Sequence, residues 1–255
     1  MKKHYDADYL DATAQATYQL KQHSYDLFKN ISKGTIVDLG CGTGADVLRM
    51  SEQYGDEVKV IGVDHDSQMI SEVEKEKSSL KKARTEFIQA NAEELPFQDA
   101  SLEGLRAERL IQHIESPEAV FAEIHRVLKM DSPLVIIETD WTGLSILNNH
   151  TGIEQKIKQY LTVKKINNGF ASRNLYEYLS SHNFREINIE IFPFVLKTLV
   201  DANKYLMMEK ILAESRDADY IDEEEYVLFK ASLLALDQIG CFACSLNMVV
   251  FSAIK

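Results

Sequence analysis

The stretch that most constrains this 255-residue chain is Thr35–Gly44, Thr-Ile-Val-Asp-Leu-Gly-Cys-Gly-Thr-Gly. Ile36, Val37 and Leu39 make a short β-branched, apolar run, the pattern of a buried strand. Three alternating glycines, Gly40, Gly42 and Gly44, then break the run ahead of a helix-like segment, Ala45 to Tyr54. Glycine lets the backbone turn sharply there and leaves no Cβ between main chain and ligand. The N–H groups of the turn and of the helix start face that ligand. Twenty residues past Gly44 a second strand, Lys59-Val-Ile-Gly-Val-Asp64, ends in a carboxylate. An acid at that place can accept both hydroxyls of a ribose. Strand, glycine turn, helix, strand and acid together predict a nucleoside-binding βαβ unit.

The alternation continues downstream. Strands over 35–40, 58–64, 85–90, 102–108 and 133–139 interleave with helices over 44–54, 67–82 and 117–128 and a loop over 91–100. That order predicts a parallel sheet covered on both faces. Gly143 to Gly169 reads as a loop and helix, and Ser172 to His182 as a helix opening on a serine cap. A strand over 186–196 follows, then a helical stretch over 201–237 with the acidic run Glu223–Glu225, then a closing central strand, Cys241 to Ile254. Upstream, Tyr9, Leu10, Ala14, Thr17, Tyr18, Tyr25 and Phe28 give residues 5–29 an imperfect helical spacing.

Charge narrows the partners. A formal net charge of −12 argues against nucleic acid, since phosphate binding needs a basic footprint. The basic cluster Lys75, Lys77, Lys81, Lys82 and Arg84 is interleaved with Glu72, Glu74 and Glu76 and reads as a solvated helix face. No run approaches the roughly 18 apolar residues of a membrane span. The N-terminus has a basic start without an apolar h-region, so a cytoplasmic location is the default expectation. Three cysteines build no disulfide framework, and the lone Cys241-x-x-Cys244 has no partnered His or Cys pair, so no metal is expected.

Gly40, Gly42 and Ala45 alone would also satisfy the dinucleotide pattern G-x-G-x-x-A. The wider context points elsewhere. Val37–Gly44 resembles motif I of the class I S-adenosylmethionine (SAM) methyltransferases, including its acidic residue, Asp38. Asn91-Ala-Glu-Glu-Leu-Pro-Phe97 resembles that family's adenine-contacting loop after the third strand. Arg109-Leu-Ile-Gln-His-Ile-Glu-Ser-Pro117 resembles the segment after its fourth, and Glu123–Lys129 the helix before its fifth. The likeness, to the type 11 or UbiE-like small-molecule branch, covers roughly residues 30–140 well.

The resemblance implies a Rossmann-like α/β fold of seven strands in the order 3-2-1-4-5-7-6, the last strand antiparallel, with helical lid elements. It implies lid helices over 1–30, a cofactor core over 31–200 and 240–255, and a helical cap or dimer element over 201–239. SAM is the implied cofactor and S-adenosylhomocysteine the product. Gly40, Cys41, Gly42 and Gly44 would pass beside it, with Asp38 supporting the turn or the methionine amine. Asp64 would take the ribose hydroxyls, while His65, Met69, Asn91, Ala92 and Glu93 would flank the adenine. Arg109 would face the cofactor from the end of the fourth strand.

The acceptor side is less legible. His113 is the candidate general base, with a structural hydrogen-bonding role as the alternative. Tyr18, Asp140 and Trp141 are candidate acceptor contacts, the last two at the carboxyl edge where open α/β sheets bind ligands. Met207 and Met208 suit an adaptable apolar wall. No D/N-P-P-Y/F tetrapeptide and no cysteine cluster is present, which leaves a small-molecule acceptor as the expected class. A catalytically silent SAM-binding protein and a NAD(P)-dependent oxidoreductase are the other readings.

Overall fold

The structure, a computed structural model, describes residues 17–71 and 85–255. Expectations for Tyr9, Leu10 and Ala14 lie outside the described residues, as do those for the basic cluster at 75–84. Of the helix expected over 67–82, the described part, 67–71, is helical.

Among the described residues the strands are β1 (Gly34–Leu39), β2 (Val58–Asp64), β3 (Thr85–Gln89), β4 (Gly104–Glu108), β5 (Pro133–Ile146), β6 (Arg185–Leu196) and β7 (Cys244–Ile254). They form one sheet in the order β3-β2-β1-β4-β5-β7-β6, as the resemblance implies. β1 is parallel to β2 and β4, β2 to β3, and β4 to β5, whereas β7 is antiparallel to both β5 and β6. The central strands are buried on both faces, so their apolar residues split by parity between two cores. Ile36 and Val60 belong to one core, while Val37, Leu39, Ile61 and Val63 belong to the other.

The first core is covered by α1 (Tyr18–Asp26), α2 (Ala45–Gln53) and, beyond β5, α4 (Thr151–Gln159); the second is covered by α3 (Pro117–Val127) and α5 (Ala171–Ser181). α3 shows why such segments are helical. Proline occupies its first turn, where no N–H is needed, and Val120, Phe121, Ile124 and Val127 make one buried stripe. β2 packs tightly between these layers. A Cβ at Gly62 would lie 2.7 Å from Phe87 Cδ1 and 2.8 Å from Cys41 Sγ. Gly62→Ala is therefore expected to destabilise the fold by about 1–3 kcal/mol. A urea midpoint that did not move would show that Phe87 and Cys41 give way freely.

The structure changes three boundaries. β5 runs on to Ile146 past an irregularity after Asp140, because Ser145 and Ile146 pair with Ser245 and Cys244 of β7. The sequence reads as a loop from Gly143, but non-local pairing overrides it. α5 begins without a serine cap: Phe170 holds the cap position, and the Ser172 hydroxyl lies 3.5 Å from Asp140 Oδ1. The stretch expected to be helical over 201–237 is three helices, α6 (Leu199–Leu206), α7 (Met208–Asp217) and α8 (Glu223–Gln238). α6 and α7 join at Met207, whose backbone is left-handed at φ +56. The acidic run Glu223–Glu225 is the first turn of α8, where Asp222 and Glu225 form a reciprocal capping box.

Candidate functional site

A cavity of about 670 Å³ opens at the carboxyl ends of β1, β2 and β4. The glycine turn forms its floor. Gly40 and Gly42 hold φ of +76 and +50, values that side chains rarely adopt. A Cβ at Gly40 would also meet Leu110 Cδ1 at 3.1 Å. The turn is tied back to β2, since the N–H groups of Gly40 and Cys41 both donate to the Val63 carbonyl, at 2.7 and 3.1 Å. Gly44, at φ +71, caps α2 and does not itself line the cavity. Cys41 lines it, and burial pushes its thiol well above the ordinary range.

Asp64 closes this side. Its Oδ2 accepts the Gly42 N–H and its Oδ1 the Asp66 N–H, each at 2.9 Å. The His65 ring nitrogen Nδ1 stands 3.2 Å from Oδ1. Met69, Asn91, Ala92 and Glu93 line the cavity next to this acid. A carboxylate beside a Cβ-free turn, flanked by a half-exposed imidazole and a buried thioether, fits the ribose and adenine of a nucleoside. The residues present therefore suit the cofactor that the sequence resemblance implies.

Behind the glycine turn is a buried charge cluster built from Lys21, Asp38, Asp46, Arg106 and Glu108. Arg106 of β4 is fully buried; its Nη1 donates to Asp38 Oδ1 at 2.8 Å, its Nε to Ser24 Oγ at 3.0 Å and its Nη2 to Glu108. Lys21 of α1 reaches Asp46 Oδ2 at 2.5 Å and Glu108 Oε2 at 2.7 Å, and the Tyr25 hydroxyl donates to Asp46 Oδ1 at 2.6 Å. Asp38, Asp46 and Glu108 thus share the cations of Lys21 and Arg106. Lys21 and Arg106 hold Asp46 and Glu108 below the usual carboxylate range despite their burial. For Asp38 burial wins over the Arg106 guanidinium, and its carboxyl is pushed up to about 6. Two charges at alternate positions of an apolar strand, Arg106 and Glu108, were the available clue.

Arg109, the residue after β4, lines the cavity with a left-handed backbone, φ +51, an uncommon conformation for a non-glycine residue. The short turn Ile111–His113 follows and brings Gln112 and His113 to the cavity wall. Glu138 of β5 holds this turn from beneath: its Oε1 accepts the N–H of Ile111 at 2.6 Å and of Gln112 at 3.3 Å. Full burial pushes the Glu138 carboxyl up to about 8. Between the unfolded value near 4.5 and 8, the unfolded chain releases this proton while the folded chain keeps it. Stability therefore falls as pH rises through that window. Glu138→Gln keeps the acceptor and removes the titration, so the stability difference between pH 5 and pH 8 is expected to shrink by about 1–3 kcal/mol. Denaturant titrations at the two pH values give that difference directly, and an unaltered gap excludes Glu138 as its source.

Two expected acceptor residues stand elsewhere. Asp140 does not line the cavity: successive strand residues face opposite ways, so Thr139 and Trp141 face it instead. Asp140 pairs with Arg173, whose Nη2 donates to Oδ2 at 2.7 Å, and accepts the Thr142 hydroxyl at 2.6 Å. Tyr18 of α1 is 53% exposed and outside the lining, while Thr17 and Lys21, a helical turn apart, lie within it. Met207 lines the cavity and Met208 is buried in the core. Cys241 is exposed and Cys244 buried.

Similarity to known proteins agrees with this geometry. A methyltransferase-domain family model matches residues 31–190, more than half of the chain. The chain is 25% identical over 218 residues to an uncharacterized 37.1 kDa protein in transposon TN4556 of Streptomyces fradiae, covering 85% of this chain and 63% of that one. It is 32% identical over 111 residues to a demethylmenaquinone methyltransferase of Oceanobacillus iheyensis, covering 43% and 47%. The chain thus spans less than two thirds of the length of these curated relatives. The crystal structure of the YcgJ protein from Bacillus subtilis superposes with a TM-score of 0.63 at 16% identity, covering 93% of this chain and 98% of that one, a likeness of fold. Glycine turn, strand-end acid, strand order and family match converge: this chain belongs to the class I SAM-dependent methyltransferase family.

Proposed function

We propose that this chain transfers the methyl group of SAM to a small, largely apolar acceptor. One observation carries the reading: one cavity is lined both by the glycine turn, Asp64 and Asp38 and by the apolar side chains Trp141, Phe194, Tyr205, Met207 and Met248. When bound, SAM supplies a methyl group already activated on a sulfonium, so the protein need only align and desolvate the reactants. Asp64 and the Gly42 region would hold the nucleoside, and the carboxylates of the Asp38 cluster would favour the positive charge of the methionine end. The aromatic and thioether side chains would exclude water from the acceptor. The name of the demethylmenaquinone methyltransferase supports a small-molecule acceptor of this kind.

In this reading α1 acts as the described part of a lid, and residues 201–239 act as a cap over the cavity. The cap role is supported by Tyr205, Leu206, Met207 and Ile211, all of which line the cavity. Dimer formation through this segment is the competing role, and light scattering of the purified chain separates the two. Among the described residues no helix is long and apolar enough to cross a membrane.

Isothermal calorimetry with SAM, S-adenosylhomocysteine and NAD(H) in parallel tests the cofactor. Binding of the first two at micromolar affinity or tighter is expected. Binding of NAD(H) alone would overturn the reading and leave the βαβ fold standing. Methyl transfer from labelled SAM to a panel of apolar hydroxylated or cyclic acceptors then tests turnover, and cofactor binding without transfer to any of them would favour a silent SAM-binding protein.

A further inference from the structure

Gln112 and His113 are neighbours in the turn over 111–113, and both line the cavity. β5 grips that turn twice. Glu138 takes its backbone N–H groups, and the Trp141 indole Nε1–H donates to Gln112 Oε1 at 2.7 Å. An indole nitrogen only donates, so the oxygen of the Gln112 amide must face Trp141. Its nitrogen must then face the other way. There Gln112 Nε2 lies 3.2 Å from His113 Nε2 and 3.4 Å from the Arg109 carbonyl oxygen. An amide NH2 also only donates, so the ring atom opposite it, His113 Nε2, must present a lone pair.

We propose that Gln112, oriented by Trp141, is a positioning residue that holds His113 as a neutral imidazole with its proton on Nδ1. A proton on His113 Nε2 would set N–H against N–H. Relieving that clash by rotating the amide would turn its NH2 toward the indole N–H of Trp141, which is no better. Gln112 is 4% exposed, so water does not readily take over either bond. His113 Nε2 is therefore occupied in the resting protein and does not act as the general base expected from the sequence. Trp141 in turn has its one polar atom engaged by Gln112 and offers the acceptor only its ring. What this means for the acceptor rests on the methyl-transfer reading; the assignment of the proton does not.

Nitrogen NMR of protein labelled in its histidine rings tests the assignment at pH 7, without cofactor or acceptor. The Nδ1-protonated, Nε2-protonated and doubly protonated rings give distinct nitrogen patterns, and the His113 signals are those lost in His113→Asn. The expected pattern for the native chain is the neutral, Nδ1-protonated ring. In Trp141→Phe, where the amide is free to turn, a mixture containing the Nε2-protonated form is expected, and Gln112→Ala should give the same. An Nε2-protonated or charged ring in the native chain would overturn the proposal, as would a pattern unchanged in both variants. A loss of stability in Trp141→Phe leaves the native-chain pattern as the deciding measurement. Failure of SAM to bind would sink the functional reading while leaving this result intact.

Discussion

Replacing Arg106 by methionine is expected to cost about 3–5 kcal/mol of folding free energy, the usual effect of breaking a buried ion pair from one side. The side chain is fully buried and touches Asp38, Glu108 and Ser24, so its loss leaves three carboxylates facing the single ammonium of Lys21. Methionine fills much of the volume, which separates the charge effect from a cavity. The pH dependence identifies the cause. Without the guanidinium the carboxyls of Asp38, Asp46 and Glu108 are all held higher in the folded state. A carboxyl raised on folding costs stability once pH exceeds its unfolded value, and protonation relieves the cost as pH falls. The deficit of Arg106→Met should therefore be larger at pH 8 than at pH 5. For a domain of this size, thermal midpoints about 10 °C apart are expected near neutral pH. A deficit below about 1 kcal/mol, or one independent of pH, would show that the cluster is not held by this cation.

Asp64→Ala should weaken SAM binding by about 100- to 10,000-fold, because two ribose hydroxyls lose a charged acceptor worth about 1.5–3 kcal/mol per bond. The structure adds a second reason. Asp64 also accepts the N–H of Gly42 across the turn, so the variant releases the loop that lies against the ligand. Asp64→Asn keeps the shape and one acceptor and should fall between native and alanine forms. Calorimetry with SAM measures all three. Equal affinity in Asp64→Ala and the native chain would remove Asp64 from the ribose site. Unaltered folding of the variants is checked by far-ultraviolet circular dichroism, since Asp64 is mostly buried at the end of β2.

How much of this was legible from sequence depended on how local each feature is. The glycine-turn half of the site is a contiguous matter: strand, glycine turn, helix and acid come within 30 residues. Asp38, Gly40, Cys41, Gly42, Asp64, His65, Met69, Asn91, Ala92, Glu93 and Arg109 all line the same cavity. The acceptor residues were harder. Asp140 and Trp141 share a place at a strand end, but a strand shows alternate residues to opposite sides, and only Trp141 faces the cavity. Tyr18 carries an aromatic ring suited to an acceptor, yet the helix phase that turns Thr17 and Lys21 inward turns Tyr18 to solvent.

The sequence by itself determined the αβ alternation, the glycine turn and the acid at the end of β2, because each follows from backbone periodicity or from what glycine alone permits. Only the tertiary structure decided which helix covers which strand. That choice brings Lys21 of α1 and Asp46 of α2 onto Arg106 and Glu108 of β4, residues far apart in the chain and without any shared local pattern. It also set Trp141 against Gln112 and Glu138 beneath the 111–113 turn. Buried polar groups must find partners wherever the fold places them, so the partners are chosen by packing, not by spacing along the sequence.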